Sequence, residues 1–352
     1  MVSFAEQVGP VLAFLLAITV VAEIAHLAGV FEVAGYAAVR AGGGRVRLLW
    51  LLVVALACAA TVLLSLDTTA VLLTPVVLAA ARRVRAPALP FAMTTVWLAN
   101  TASLLLPVSN LTNLLAVYHL PGVRAYIAVA WRPALVAVAV TVAVLFALHR
   151  RSLRGGYGPV AAPVIADRVL LWSAAGVCLA LAPAFVSGVM PAIPAAVAAV
   201  VLVALVAWRD PAALRRLAVP WRMVLVLSAV FAAAQWLLSL GLDGAVRAAA
   251  GAGSSVADLL RLAGLGAAAA NGVNNLPAYL ALEPAAIGSP ERLVALLIGV
   301  NLGPVVTLWA SLATVLWRQR CARAGVPIRL WPFAWQGLLL ACCVIPLAVL
   351  SL

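Results

Sequence analysis

The chain contains no lysine: all 23 of its basic residues are arginine, set against only 10 acidic residues and 3 histidines. Charged residues of either sign make up 9% of the sequence, 66% is hydrophobic, and mean hydropathy is +1.18. So little charge excludes a soluble domain, because nearly every window of about 20 residues is apolar enough to cross a bilayer. The five cysteines (Cys58, Cys178, Cys321, Cys342, Cys343) form no CxxC pair and no histidine-containing metal spacing, so no metal or cofactor is expected. Cys342 and Cys343 are a vicinal pair able in principle to grip a thiophilic metalloid, although packing as small hydrophobes accounts for both. There is no HExxH run, no second aspartate motif and no Ser–His pair at membrane depth, which argues against an intramembrane hydrolase or any other enzyme. The N-terminus lacks a basic region and a cleavage site, so no removable signal peptide is expected.

A net charge of +13 would suit a nucleic-acid partner if it were gathered on one surface. Instead, 18 of the 23 arginines fall in five short runs between apolar segments, at 40–47, 82–85, 150–168, 209–222 and 318–329. The positive-inside rule places all five runs in the cytoplasm, and the expected partner is the lipid bilayer rather than nucleic acid. Residues 9–39 then cross inward, with a tail after Gly29 at the interface. Segment 48–81 has arginines at both ends and is expected to return to the side it left, as a re-entrant hairpin with its tip at Ser65–Thr69; the alternative is two ordinary spans joined outside, with Asp67 in the external loop. Residues 89–118 cross outward and 126–149 cross back. Residues 150–168 form a cytoplasmic linker, and 169–186, 191–208 and 221–240 are further spans. Segment 256–287 is a second hairpin, entering from outside with its tip at Asn271–Asn275, and 292–317 and 332–351 complete the chain. The protein is expected in the cytoplasmic (inner) membrane as a multi-pass protein.

Within these apolar segments one polar pattern occurs twice. LSLDTTAVLLTP (64–75) is followed by NTASLLLPVSNLTNLL (100–115), and ANGVNNLPAYLAL (270–282) by NLGPVVTLWASLATVLW (301–317). Proline, glycine and asparagine interrupt runs that would otherwise be plain spans, and interrupted helices survive in lipid only where protein or water satisfies the freed backbone. Paired breaks in two halves point to the binding site of a secondary transporter. The expected fold is an all-α polytopic membrane protein of two inverted-topology repeats, each with a re-entrant hairpin and a broken transmembrane helix. The first repeat is 1–149 (hairpin 48–81, broken helix 89–118) and the second 169–352 (hairpin 256–287, broken helix 292–317), joined by linker 150–168.

Asp67 is the only acidic residue in the first repeat's apolar segments after Glu32. A carboxylate at mid-membrane is costly and marks ion pathways or proton relays, so Asp67 is the proton-coupling candidate. The alternative is a cap on the returning arm, accepting from the amides of Thr69 or Ala70. Thr68, Thr69, Asn100, Ser109, Asn110, Thr112 and Asn113 are the substrate-binding candidates of the first repeat. Asn271, Asn274, Asn275, Asn301, Thr307, Ser311 and Thr314 are those of the second. Spacing matches Asn100–Thr112 to Asn301–Thr314 with one residue inserted. Interhelical hydrogen bonding is the alternative role for any one of them. Glu23 and His26 lie at helical spacing, where they could pair; a secondary proton relay, a structural ion pair and placement at the interface are the alternatives.

At these four motifs the chain resembles the arsenite permease family of the ion-transporter superfamily. The resemblance covers 48–118 and 256–317 with the motifs in order. It implies export of arsenite or antimonite, coupled to inward proton movement or to a partner ATPase, on a scaffold that is often a homodimer. The chain departs from the family in being short, and its first repeat lacks counterparts of the two spans at 169–208. A sodium-coupled symporter of divalent anions and a sodium/proton antiporter remain alternatives, since the same oxygens suit Na⁺. Against the anion, no arginine lies at either tip and Asp67 would repel it.

Overall fold

The structure, a computed structural model, describes residues 4–187, 189–217 and 243–352, together with positions 225, 228, 229 and 233. Apart from those isolated positions, the expected span at 221–240 lies outside the described residues. Among the described residues regular structure is helical, with one isolated β-bridge between Arg45 and Gly156. Among the described residues seven helices are long and apolar enough to cross a membrane.

The first repeat begins with α1 (Phe4–Leu27), which stops at Gly29, where a positive φ of 83° turns the chain. Beyond it α2 (Val30–Ala41) is a separate amphipathic helix, as the expected tail after Gly29 requires. The first hairpin is α3 (Val46–Leu64), a single turn α4 (Leu66–Thr68), a π-helical turn at Thr69–Leu73 and α5 (Thr74–Arg83). Its bend is Ser65, with φ 125° and ψ 163°. Both feet meet the linker. Val46 N–H donates to Gly155 O (3.2 Å) and Tyr157 N–H to Gly44 O (2.8 Å), while the α5 end shares a cavity with Val160 and Pro163. The arms therefore return to the end they left.

The broken helix follows as α6 (Ala88–Thr101), an irregular stretch and α7 (Leu111–Val117), and α8 (Val123–His149) closes the repeat. Asp167 then caps α8's successor, α9 (Arg168–Val186), through the amides of Val169 and Leu170. Its carboxylate also receives two bonds from Arg209 at the end of α10 (Ala192–Arg209), at 2.9 and 3.2 Å, and this holds its pKa below the usual carboxylate range.

In the second repeat, α11 (Asp243–Ala250) leads into the hairpin of α12 (Val256–Val273) and α13 (Asn275–Leu282). The bend is Asn274, with φ 94° and ψ 153°, nearly the conformation of Ser65. Arg292, buried at 4% exposure, donates to the carbonyls of Gly251, Gly253 and Ala285, so both feet of this hairpin meet at one guanidinium. The second broken helix is α14 (Pro290–Leu302) and α15 (Leu312–Arg323), the latter running six residues past the expected end at 317. The last helix is α16 (Leu330–Val349), which packs on its first-repeat counterpart α8.

Small residues let α12 and α14 cross closely. A Cβ on Gly299 would strike the Ala263 carbonyl, and one on Gly303 would meet Ala267 at 2.6 Å. Without a hydrophobic drive between helices in lipid, such contact is the main source of association. Gly299→Leu is therefore expected to cost about 3 kcal/mol or more, the upper end of overpacking penalties. The measurement is the yield and melting of purified protein; wild-type values for both would remove the crossing as a determinant of the fold.

Candidate functional site

Each bend is a device for turning a helix inside an apolar medium. At Ser65 the amide donates to Thr61 O (3.1 Å) and the Oγ accepts from Thr68 N–H (3.3 Å), so the interrupted backbone is satisfied locally. Thr61 and Thr69 hydroxyls meet across the bend at 2.9 Å, and Ser109 Oγ donates to Val62 O (3.1 Å), joining the hairpin to the first break. The cap is thus Ser65, which the sequence reading placed at the tip without a role, and not Asp67. A serine three residues before Thr68 at the point where the apolar run stops is the signal that identifies it.

The second bend is joined to its own break more extensively. Asn271 Nδ2 donates to Gly303 O (2.8 Å), its Oδ1 accepts from Thr307 N–H (2.9 Å), and its carbonyl accepts from Thr307 Oγ1 (3.0 Å). Asn274 Nδ2 donates to Trp309 O (2.9 Å), and Asn275 N–H to Ala310 O (2.9 Å).

The two breaks meet each other through Asn301. Its Oδ1 accepts from Thr112 Oγ1 (2.7 Å) and Asn110 Nδ2 (3.0 Å), and its Nδ2 donates to Asn113 Oδ1 (2.7 Å). Asn113 Nδ2 in turn donates to Ser103 O (2.7 Å) and Leu106 O (3.2 Å). All four side chains are buried. Asn110 and Ser311 are the N-caps of α7 and α15, accepting from Thr112 and Thr314 amides. Counting from these caps, Asn100 matches Asn301 and Asn113 matches Thr314 with no insertion, which corrects the one-residue offset read from the sequence.

The symmetry fails at one place. Asn100, the counterpart of Asn301, spends its Nδ2 on Val96 O (2.9 Å) in its own helix, and its Oδ1 is buried without a partner. Asp67 Oδ1 is buried and unpartnered as well. The turn α4 that carries Asp67 packs against both α6, which carries Asn100, and α15, whose Ser311 and Thr314 hydroxyls meet at 2.8 Å. Buried acceptors are nearly always satisfied, so two orphan oxygens on neighbouring elements call for a visiting donor or cation.

Glu23 and His26 interact through charge but are not in ion-pair contact. His26 Nδ1 lies 3.4 Å from Glu32 Oε1, because the turn at Gly29 folds α2 back beside the end of α1. His26 and Glu32 line a cavity of about 280 Å³ with Tyr36, Pro75 and Arg83, at the foot of α5.

A family model described as Citrate transporter matches residues 2–316. The chain belongs to the citrate transporter family. Arsenical pump membrane protein from Yersinia enterocolitica is 29% identical over 345 residues, covering 89% of this chain and 79% of the relative. The protein of the same description from Escherichia coli K12 is 29% identical over 347 residues with the same coverage. The crystal structure of the Alcanivorax borkumensis YdaH transporter superposes with a TM-score of 0.55 at 16% identity, covering 99% of this chain and 87% of that one. That likeness is one of fold. This member of the citrate transporter family is a multi-pass membrane transporter, with its polar breaks at the meeting of the two halves.

Proposed function

We propose that the protein exports arsenite and antimonite across the cytoplasmic membrane in exchange for protons, with Asp67 as the proton carrier. The observation that carries this reading is the pair of orphan acceptors, Asp67 Oδ1 and Asn100 Oδ1. Arsenous acid is uncharged near neutral pH and presents three hydroxyl donors, which suit carbonyl, amide and hydroxyl oxygens. A neutral solute moves uphill only if something else moves downhill, and a mid-membrane carboxyl is a side chain able to carry a proton. The curated relatives described as arsenical pump membrane proteins agree with this cargo. Asp67 takes a proton from outside and releases it inside as solute loads at Asn100, Ser311 and Thr314. The hairpins dip from opposite faces, so rocking the repeats exposes one site alternately to each side.

A second reading has a specific support. Two oxygen acceptors without donors also suit Na⁺, which would make sodium the coupling ion. Uptake into everted vesicles decides between them, with arsenite, antimonite, citrate and sulfate offered under separate proton and sodium gradients and no nucleotide. Arsenite accumulation driven by the proton gradient alone is the expected result. Citrate or sulfate uptake that requires sodium, with arsenite excluded, would overturn it.

A further inference from the structure

Among the described residues, polar side-chain bonds join the two repeats at three depths. The Asn301 network lies in the middle. Towards the arginine-rich end, Trp317 Nε1 donates to Ala92 O (2.9 Å). At the opposite end, beyond α7, His119 Nε2 lies 2.9 Å from Glu283 Oε1, with the two side chains 22% and 14% exposed. Glu283 sits at the foot of the second hairpin, one residue past α13. The same Oε1 accepts from the buried Tyr279 hydroxyl (2.9 Å), so the carboxylate is held from its own helix and from the other repeat at once.

Among the described residues, the exposed bend and the tied feet of the second hairpin lie on opposite sides. At the bend of the second hairpin Val273 is 63% exposed, and Trp309 opposite it is 50% exposed. From Trp309 a groove of about 370 Å³ runs along α15, lined by Val315, Arg318, Gln319 and Ala322, toward the arginine-rich end. On the other side the hairpin's feet are drawn together by Arg292 and tied to the first repeat by His119.

We propose that this arrangement is the inward-open state and that His119 and Glu283 are the latch of its outer gate, an inference that rests on the transport reading and its topology. The second hairpin cannot swing away from α7 while Glu283 is held by a charge-assisted bond in a mostly buried setting. Outward opening therefore requires that bond to part. Arg292 ties the hairpin only to its own repeat, so it travels with the hairpin and does not resist the swing. Tyr279 keeps the freed carboxylate satisfied, which makes the parting reversible.

The test uses a cysteine-free full-length protein carrying Val273→Cys as a reporter, labelled with a membrane-impermeant maleimide. The reagent is added to the outside of intact cells or to the cytoplasmic side in everted vesicles. With the latch intact, labelling is expected to be fast from the cytoplasmic side and slow from outside. His119→Gln and Glu283→Gln are each expected to raise the outside rate about tenfold, the shift that loss of one charge-assisted bond produces. The double variant should match the singles, because the two residues act as a unit. Unchanged outside rates in both single variants, with cytoplasmic labelling intact as the sign of a folded protein, would overturn the latch. Fast outside labelling with the latch intact, or none from the cytoplasmic side, would overturn the inward-open assignment. The assay needs no transported solute, so its failure is distinct from failure of the arsenite reading, which the vesicle experiment decides.

Discussion

Asp67→Asn is expected to reduce proton-driven arsenite accumulation to the level of empty vesicles while leaving the protein inserted and its melting temperature unchanged. The reason lies in what Asp67 does not do. Its Oδ1 has no hydrogen-bond partner, and the bend beside it is capped by Ser65, so an isosteric amide removes no bond that holds the hairpin. What it removes is the ability to bind and release a proton. Most substitutions of buried polar residues lower stability, because they leave a partner unsatisfied. Here no partner is stranded, and function is lost without a structural cost. Undiminished proton-driven transport by the variant would reject Asp67 as the carrier. A collapse in melting temperature would instead assign it a structural role.

Replacing the two matched asparagines is expected to have opposite consequences. Asn301→Ala strands Thr112 Oγ1 and Asn113 Oδ1 in a buried site, and takes one of two acceptors from Asn110 Nδ2, which keeps Ser103 Oγ at 3.4 Å. Interhelical bonds in membrane proteins average about 0.6 kcal/mol, and stranded buried groups cost about 1–3 kcal/mol each, so the two stranded oxygens lose roughly 2–6 kcal/mol. The protein should melt several degrees lower, with poor recovery. Asn100→Ala breaks one bond, to Val96 O of its own helix, and should stay within about 1 kcal/mol of wild type. Its effect belongs to transport, as a raised apparent KM for arsenite. Melting curves and concentration series on both variants check this, and the reverse ranking would exchange the roles of the two residues.

Which residues bend the chain was legible in the sequence, because a turn in an apolar medium needs polar groups and the hydrophobic runs stop at Ser65–Thr69 and Asn271–Asn275. The breaks after Asn100 and Asn301 were legible for the same reason. Which asparagine is spent and which is free was not. That depends on partners up to 191 residues away, and nothing in a residue's type says whether a donor has been placed opposite it. The offset between the breaks was misread because Thr112 and Thr314 look alike, whereas the helices start at Asn110 and Ser311. Glu23 and His26 share a helical face, yet three dimensions supplied Glu32 to His26 through a turn at one glycine. His119 and Glu283 carried no local pattern at all, being 164 residues apart.

Ser65 and Asn274 adopt a backbone conformation that glycine holds freely and other residues adopt at a cost of about 1–3 kcal/mol each. A corner made this way is stiff: it has one narrow well, reinforced by the side chain's own bonds, and no shallow path out of it. Each pair of arms then moves as a wedge of fixed angle, and bending is displaced from the apex to the base. At the base of the first wedge lies the glycine-rich linker contact at Gly44 and Gly155, and at the base of the second lies the foot that Arg292 binds together and His119 ties to the other repeat. On the transport reading, the joints lie at the feet of the hairpins and the tips stay rigid.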